Sequence, residues 1–243
     1  MIRSRGFLAA WGASAIVSVA AASTALPQAA TQQAAGRDCG AYAVRARVGG
    51  HVVCLRDLQR CRARLVAHYR RFGFRCTNGF LVASWRRLRR PLHIPSIAPN
   101  APCPTSAVDD GVNFARYGVG PGIGTGPVYP TPFDSRDQRP LSSMIVDPTW
   151  RGGKHAFLIL PAYHGPVLIR GHQLDGPGEV SFSSNEIPGA ARYPARSAEL
   201  RIPAFRNALV MHTFFFLDPP GCFAYQIDGT TFSKIVTFEV RVH

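Results

Sequence analysis

Three histidines and one aspartate lie near one another in the second half of the chain. His155, His164 and His172 flank two neighbouring apolar segments, and Asp175 follows shortly after. Converging imidazole and carboxylate groups can bind a metal ion or act as acid and base. This supports one hypothesis, an envelope hydrolase or metal-dependent enzyme. Histidines beside strands are also turn and edge residues, and the chain has no G-x-S-x-G or H-E-x-x-H motif. We therefore predict no catalytic residue, no metal site and no cofactor.

The cysteines offer a second chemistry, disulfide formation. No C-x-x-C pair occurs among them, which argues against a zinc site and a redox motif. Four fall within residues 39–76 and two stand far apart. We expect Cys103 to pair with Cys222, and two bridges inside the first group, whose pairing the spacing leaves open. That group comprises Cys39, Cys54, Cys61 and Cys76.

The third chemistry is arginine charge, and it is strongly segregated. The 243-residue chain has a formal charge of +14. Residues 37–90 hold fourteen arginines and two acidic residues, for a net +12, whereas residues 91–243 are neutral. Arginine offers phosphate and carboxylate a bidentate fork. Such a module would attract an anionic cell-wall or membrane-surface polymer, although a merely solvated face is the alternative.

An amphipathic helix would position part of this charge. Apolar residues recur at three- and four-residue spacing from Leu55 to Phe72 and predict a helix that ends near Gly73, a favourable C-terminal cap. Arginines lie opposite that stripe, and a second cluster follows the helix. Before the helix, Gly49-Gly50 predicts a hairpin turn. The arginines predicted to contact a polyanion are Arg56, Arg60, Arg64, Arg71, Arg86, Arg87, Arg89 and Arg90.

The N-terminus has the pattern of a secretory signal peptide. Two arginines precede an uncharged, Ala-rich stretch from Gly6 to Leu26, and the small residues Ser23 and Ala25 predict cleavage after Ala25. An uncleaved membrane anchor is the alternative. Both interpretations place the rest of the chain outside the cytoplasm, where disulfides form.

Composition predicts the organisation of the whole chain. Ten of the 20 prolines lie between Pro91 and Pro140, which is typical of an extended connector. The predicted regions are a signal peptide (1–25), a disordered leader (26–36), a basic Cys-containing module (37–90), a Pro/Gly-rich connector (91–140) and a β-sandwich domain (141–243), with the Cys103 region packing on it.

The later region reads as all-β. Its last segment, Thr231–Val242, alternates apolar and polar residues with a period of two, after an Asp228-Gly229 turn signal. Seven such segments predict an immunoglobulin-like two-sheet sandwich, with a closed barrel as the alternative. The fold class is therefore mainly β, with the sandwich preceded by a small disulfide-stapled ββα module. The predicted strands are Ala156–Leu160, Pro166–Arg170, Glu179–Ser183, Ala198–Pro203, Leu209–Leu217, Cys222–Ile227 and Thr231–Val242.

Two strings carry a family resemblance. GPVLIRGHQLDG at 165–176 and GCFAYQIDG at 221–229 resemble a group of uncharacterised secreted bacterial β-sandwich proteins, over about residues 100–243. Residues 53–76 are similar to a small Cys-containing module of other exported bacterial proteins. The resemblance implies a secreted β-sandwich protein and carries no activity.

These observations lead to one main hypothesis. We expect a monomeric, secreted or envelope-associated protein without enzymatic activity, whose basic module contacts an anionic envelope polymer or surface. Nucleic acid is the weaker partner, because the chain has an export signal and no nucleic-acid-binding motif. A disulfide-rich inhibitor module is a further hypothesis, which would require an exposed rigid loop.

Overall fold

A computed structural model describes residues 39–99, 101–132, 136, 143–146, 152–184, 196–218 and 220–242. Every described residue belongs to one compact unit, which lies within Asp38–His243. The predicted signal peptide and leader lie outside the described residues. Within them, no helix combines the length and the apolar character needed to cross a membrane.

The basic module is a small α+β arrangement. Gly49 and Gly50 both have positive φ and join the first two strands, which confirms the predicted hairpin turn. The second hairpin is antiparallel and follows the helix. The module's elements are β1 (Val44–Val48), β2 (His51–Leu55), a 3₁₀ turn (Ala63–Leu65), α1 (Val66–Arg71), β3 (Phe74–Thr77), β4 (Phe80–Ala83) and α2 (Trp85–Leu88).

The predicted helix from Leu55 to Phe72 is wrong over its first half. Leu55 ends β2, and helical structure begins only at Ala63. The backbone between them pairs with β4 instead: Leu58 donates to the Leu81 carbonyl, and the Leu81 N–H donates to Gln59. These long-range bonds satisfy the backbone groups that a helix would have used, so tertiary contact overrides local spacing. The helix ends at Arg71 with Phe72 as its C-cap, so its predicted end near Gly73 is confirmed.

Nine described strands of the later region form one sheet. All seven predicted strands occur within it, whereas β5 and β6 were not predicted. Since β5 lies within the predicted connector, the sheet begins before residue 141. The strands are β5 (Val128–Pro132), β6 (Ser143–Val146), β7 (Gly152–Ile159), β8 (Val167–Gln173), β9 (Glu179–Ser184), β10 (Leu200–Ile202), β11 (Leu209–Asp218), β12 (Gly221–Asp228) and β13 (Ser233–Val242).

The sheet is curled. Its hydrogen-bonded order is β5-β7-β11-β9-β8-β12-β13-β6, and β10 pairs with β8 beside this path. The β6–β13 pair is parallel, and β6 at one edge also contacts β7 near the other. The described strands thus follow one continuous hydrogen-bonded path, and the immunoglobulin-like sandwich stays a prediction.

The curl creates an inner core and an outer face. Large aromatic side chains fill the inner side, and alternate residues of the same strands point outward. Three segments cover the outer face: the chain around Phe114, the chain around Ile97, and the basic module, whose core includes Leu168 of β8. The inner aromatic residues are Phe157, Tyr163, Phe182, Phe215, Phe223, Tyr225 and Phe238.

All six cysteines are described and all are bonded. Cys103 bonds Cys222 across 119 residues, the pairing expected from the sequence. The other two bonds are Cys39–Cys54 and Cys61–Cys76, both inside the module. Together they anchor the module's first strand pair, its helix and the entry to the sheet.

Candidate functional site

Most of the described module's arginines face solvent. Among residues 39–90 the acidic side chain is Asp57, and it is buried, so the module's surface charge is positive. The exposed arginines are Arg45, Arg47, Arg56, Arg60, Arg62, Arg64, Arg70, Arg71, Arg75, Arg86 and Arg89. Five of the eight predicted contacts, Arg56, Arg60, Arg64, Arg71 and Arg86, thus lie at the surface without a carboxylate partner among the described residues.

Two arginines of β1 also lie at the module's surface and were not among the predicted contacts. Arg45 and Arg47 are exposed, while Ala46 and Val48 between and after them are buried. A strand places alternate side chains on opposite faces, so both arginines stand on the solvent face of the hairpin. The alternation of Arg with small apolar residues was the sequence signal that could have identified this face.

Three of the predicted contacts bond other parts of the protein. Arg87 donates from Nε to the Thr230 carbonyl at 3.1 Å and from Nη1 to the Phe72 carbonyl at 2.9 Å. Arg89 pairs with Glu199 at 2.7 Å. Arg90 donates to carbonyls of the turn after β12, including that of Phe232 at 2.8 Å. We therefore leave these three out of the proposed ligand surface.

A buried ion-pair network lies beneath Arg90. The Asp228 side chain is fully buried at the end of β12. It accepts from Arg170 Nη2 at 2.7 Å, from Gln226 Nε2 at 3.0 Å and from Arg90 Nη1 at 3.3 Å. A buried carboxylate needs such partners to offset its loss of hydration. Arg90 is thus an internal partner of the sheet.

Asp57 makes the complementary contact from the module. Its Oδ2 accepts from Thr230 Oγ1 at 2.6 Å, and its Oδ1 accepts from the Ala83 N–H at 2.6 Å. Thr230 N–H in turn donates to the hydroxyl of Tyr163 at 2.9 Å. Burial raises the pKa of the Asp57 carboxyl, and the hydrogen bonds from Thr230 and Ala83 oppose that rise. We call this contact between module and sheet the seam; it comprises Asp57, Arg87, Arg90 and the turn 229–232.

The four residues of the enzyme hypothesis have separate surroundings. His155 lies on the inner side of β7, packed against Phe215 and Tyr225. His172 lies on β8 in phase with Leu168, which faces outward. These two histidines are therefore on opposite faces of the sheet.

The remaining pair of that hypothesis is held by backbone contacts. His164 Nδ1 lies 3.2 Å from the Phe205 carbonyl. Asp175 accepts from the Cys222 N–H at 3.1 Å with both oxygens. In the described part of the chain, no group of three or more His, Cys, Asp or Glu side chains is placed to hold a metal ion.

The fold and the exposed charge define a disulfide-bonded, mainly β protein with an arginine-rich module seated on its sheet. No protein-family model, curated protein or solved structure matches the chain.

Proposed function

We propose that this protein is an exported binding protein, without enzymatic activity, whose arginine module contacts an anionic polymer of the cell envelope. The observation that carries the proposal is the segregation of charge: residues 39–90 expose ten arginines that have no carboxylate partner among the described residues, and the described acid of that region is buried. Composition bias accounts for arginine in place of lysine, but it does not account for this separation.

The location is part of the proposal. Three disulfides are typical of proteins outside the cytoplasm, where thiols are oxidised. The predicted signal peptide and the resemblance to secreted bacterial β-sandwich proteins support the same compartment. The finer arrangement that we propose for the curled sheet is an immunoglobulin-like two-sheet sandwich.

Charge-neutralising variants of the full chain test the function. The seam bonds the module to the sheet, so the module is best kept in its native setting. We expect the Arg45→Gln/Arg47→Gln and Arg70→Gln/Arg71→Gln variants to elute from purified cell wall at lower salt than the unmodified chain. Each variant makes fewer contacts with anionic groups, so its binding releases fewer counterions and is weaker.

The matched control is Arg116→Gln/Arg241→Gln, which removes two exposed charges outside the module. It should elute with the unmodified chain, and equal weakening by the control would overturn a module-specific surface. Vesicles of phosphatidylglycerol form the second arm of the assay. Retention on vesicles alone would identify the surface as a lipid headgroup layer instead of a wall polymer.

A further inference from the structure

A cleft of about 270 Å³ opens beside the seam. The module contributes Tyr42, Arg56 and Asp57 to its lining, and the turn after β7 contributes Tyr163 and His164. The volume is slightly below the range of pockets for drug-sized ligands, so it suits a ligand with the size of one small ring or one small acid. Both Asp57 oxygens already accept hydrogen bonds, and Arg56 supplies a cationic donor at the cleft.

Arg56 is held in place and only partly used. Its Nη2 donates to the Cys39 carbonyl at 2.9 Å, and Cys39 is fixed by its disulfide to Cys54. The other guanidinium N–H groups of Arg56 have no partner among the described residues. An anchored guanidinium loses little freedom when it binds, so it is a ready fork for a carboxylate or phosphate.

His164 supplies a group of different chemistry. Because the Phe205 carbonyl can only accept, Nδ1 of His164 carries the proton of their 3.2 Å contact. In the neutral ring this leaves Nε2 as an acceptor, which suits a hydroxyl group. The ring of Tyr42, packed edge-on against Tyr163 at 5.4 Å, adds an apolar wall.

Two further cations converge on the ring of Phe80. The guanidinium carbons of Arg60 and Arg206 lie 5.6 and 4.8 Å from the centroid of the Phe80 ring. Neither forms an ion pair within the described residues. Arg60 comes from the module, four residues after Arg56. Arg206 follows Phe205, the residue that holds His164. Two positive charges beside the same aromatic ring repel each other, so the binding of an external anion between them is favourable.

From this arrangement we propose that the cleft binds one acidic sugar unit of the envelope polymer. Arg56 binds the carboxylate or phosphate of the sugar, and His164 Nε2 accepts a hydrogen bond from one of its hydroxyl groups. The sugar ring packs against Tyr42. Arg60 and Arg206 take the next acidic group along the polymer. The inference rests on the proposed function and narrows it to an acidic glycan that touches both the module and the sheet.

Titration calorimetry of the full chain tests the cleft. Glucuronate and glucose 6-phosphate distinguish a carboxylate from a phosphate, while neutral glucose and inorganic phosphate serve as controls. We expect saturable binding of one acidic sugar and none of glucose. Arg56→Gln should weaken that binding at least about tenfold, and Arg56→Lys should weaken it less, because it keeps the charge and loses the fork.

The control variant is Arg116→Gln, at an exposed arginine outside both the module and the cleft, which should bind the acidic sugar normally. Thermal melts identify any variant that is misfolded. The site is overturned if neither acidic sugar binds, or if the control weakens binding as much as Arg56→Gln does. Inorganic phosphate binding as tightly as glucose 6-phosphate overturns the sugar class. If the cleft proposal fails in any of these ways, retention of the protein on the polymer in the elution assay would still support the proposed function. If the acidic sugar binds but the protein is not retained on the polymer, only the proposed function is overturned.

Discussion

His155 lies fully buried on the inner side of β7, and neither of its ring nitrogens has a hydrogen-bond partner among the described residues. Its neighbours are the rings of Phe157, Phe215 and Tyr225, at 4.7 to 5.8 Å between centroids. Aromatic packing stabilises the ring, whereas leaving buried polar atoms unpaired costs about 1–3 kcal/mol. Burial lowers the pKa of His155 to about 3, so the folded protein keeps it neutral.

We expect His155→Leu to stabilise the protein by about 1–3 kcal/mol near neutral pH, because it removes unpaired polar atoms. The gain should grow below about pH 6.5, where the unfolded chain binds a proton that the folded wild-type protein cannot accommodate. Urea unfolding at neutral and mildly acidic pH measures both effects. His51→Leu, at an exposed position of β2, is the control and should show neither. A pH-independent loss of stability in His155→Leu would contradict this account.

At the scale of elements, the end of α1 and the seam are coupled through one glycine. Gly73 has φ +77°, and a Cβ there would lie 2.9 Å from Cδ of Arg87. That arginine is held by the carbonyls of Phe72 and Thr230, so it cannot move aside without losing contacts that join the module to the sheet. The helix C-cap therefore also positions a cross-link to the sheet.

A pair of alanine variants separates backbone strain from this coupling. Gly50 also has positive φ, +84°, but no atom lies within 4 Å of its Cβ position. Gly50→Ala should cost about 1–2 kcal/mol for the left-handed backbone alone. Gly73→Ala should cost at least about 1 kcal/mol more, because bonds of Arg87 are also lost. Denaturant unfolding of both variants measures the difference, and equal losses would show that Arg87 adjusts freely.

At the scale of the whole molecule, the disulfides act over very different lengths. Cys103–Cys222 closes 119 residues and ties the chain that enters the sheet to β12, whereas each module bond closes 15. In a loop-closure model, the long link restricts the unfolded chain more. No disulfide joins the module to the sheet, and the polar seam holds the two together by hydrogen bonds.

Removing each link tests this hierarchy. Cys103→Ala/Cys222→Ala should lower the free energy of unfolding by about 4–5 kcal/mol, and Cys39→Ala/Cys54→Ala by about 3 kcal/mol. Urea unfolding under oxidising conditions measures both losses. A larger loss from the Cys39–Cys54 pair would mean that native contacts, and not loop length, set the contribution of each bond.

Strand positions could be predicted because their signal is local. The alternation in β13 and the turn signals at Gly49-Gly50 and Asp228-Gly229 depend only on neighbouring residues. The absence of a C-x-x-C pair and the even cysteine count likewise favoured disulfides. β5 escaped prediction because two of its five residues are proline, which reads as a connector.

The sequence by itself determined the mainly β character, the cysteine chemistry and the concentration of charge in residues 37–90. Only the tertiary structure decided which arginines are free, since Arg87 and Arg90 meet carbonyls more than 130 residues away. It also decided that residues 58–61 pair with β4 instead of forming a helix. The physical reason is that periodicity and charge are written in neighbouring residues, whereas burial and hydrogen-bond partners depend on which distant segments the fold brings together.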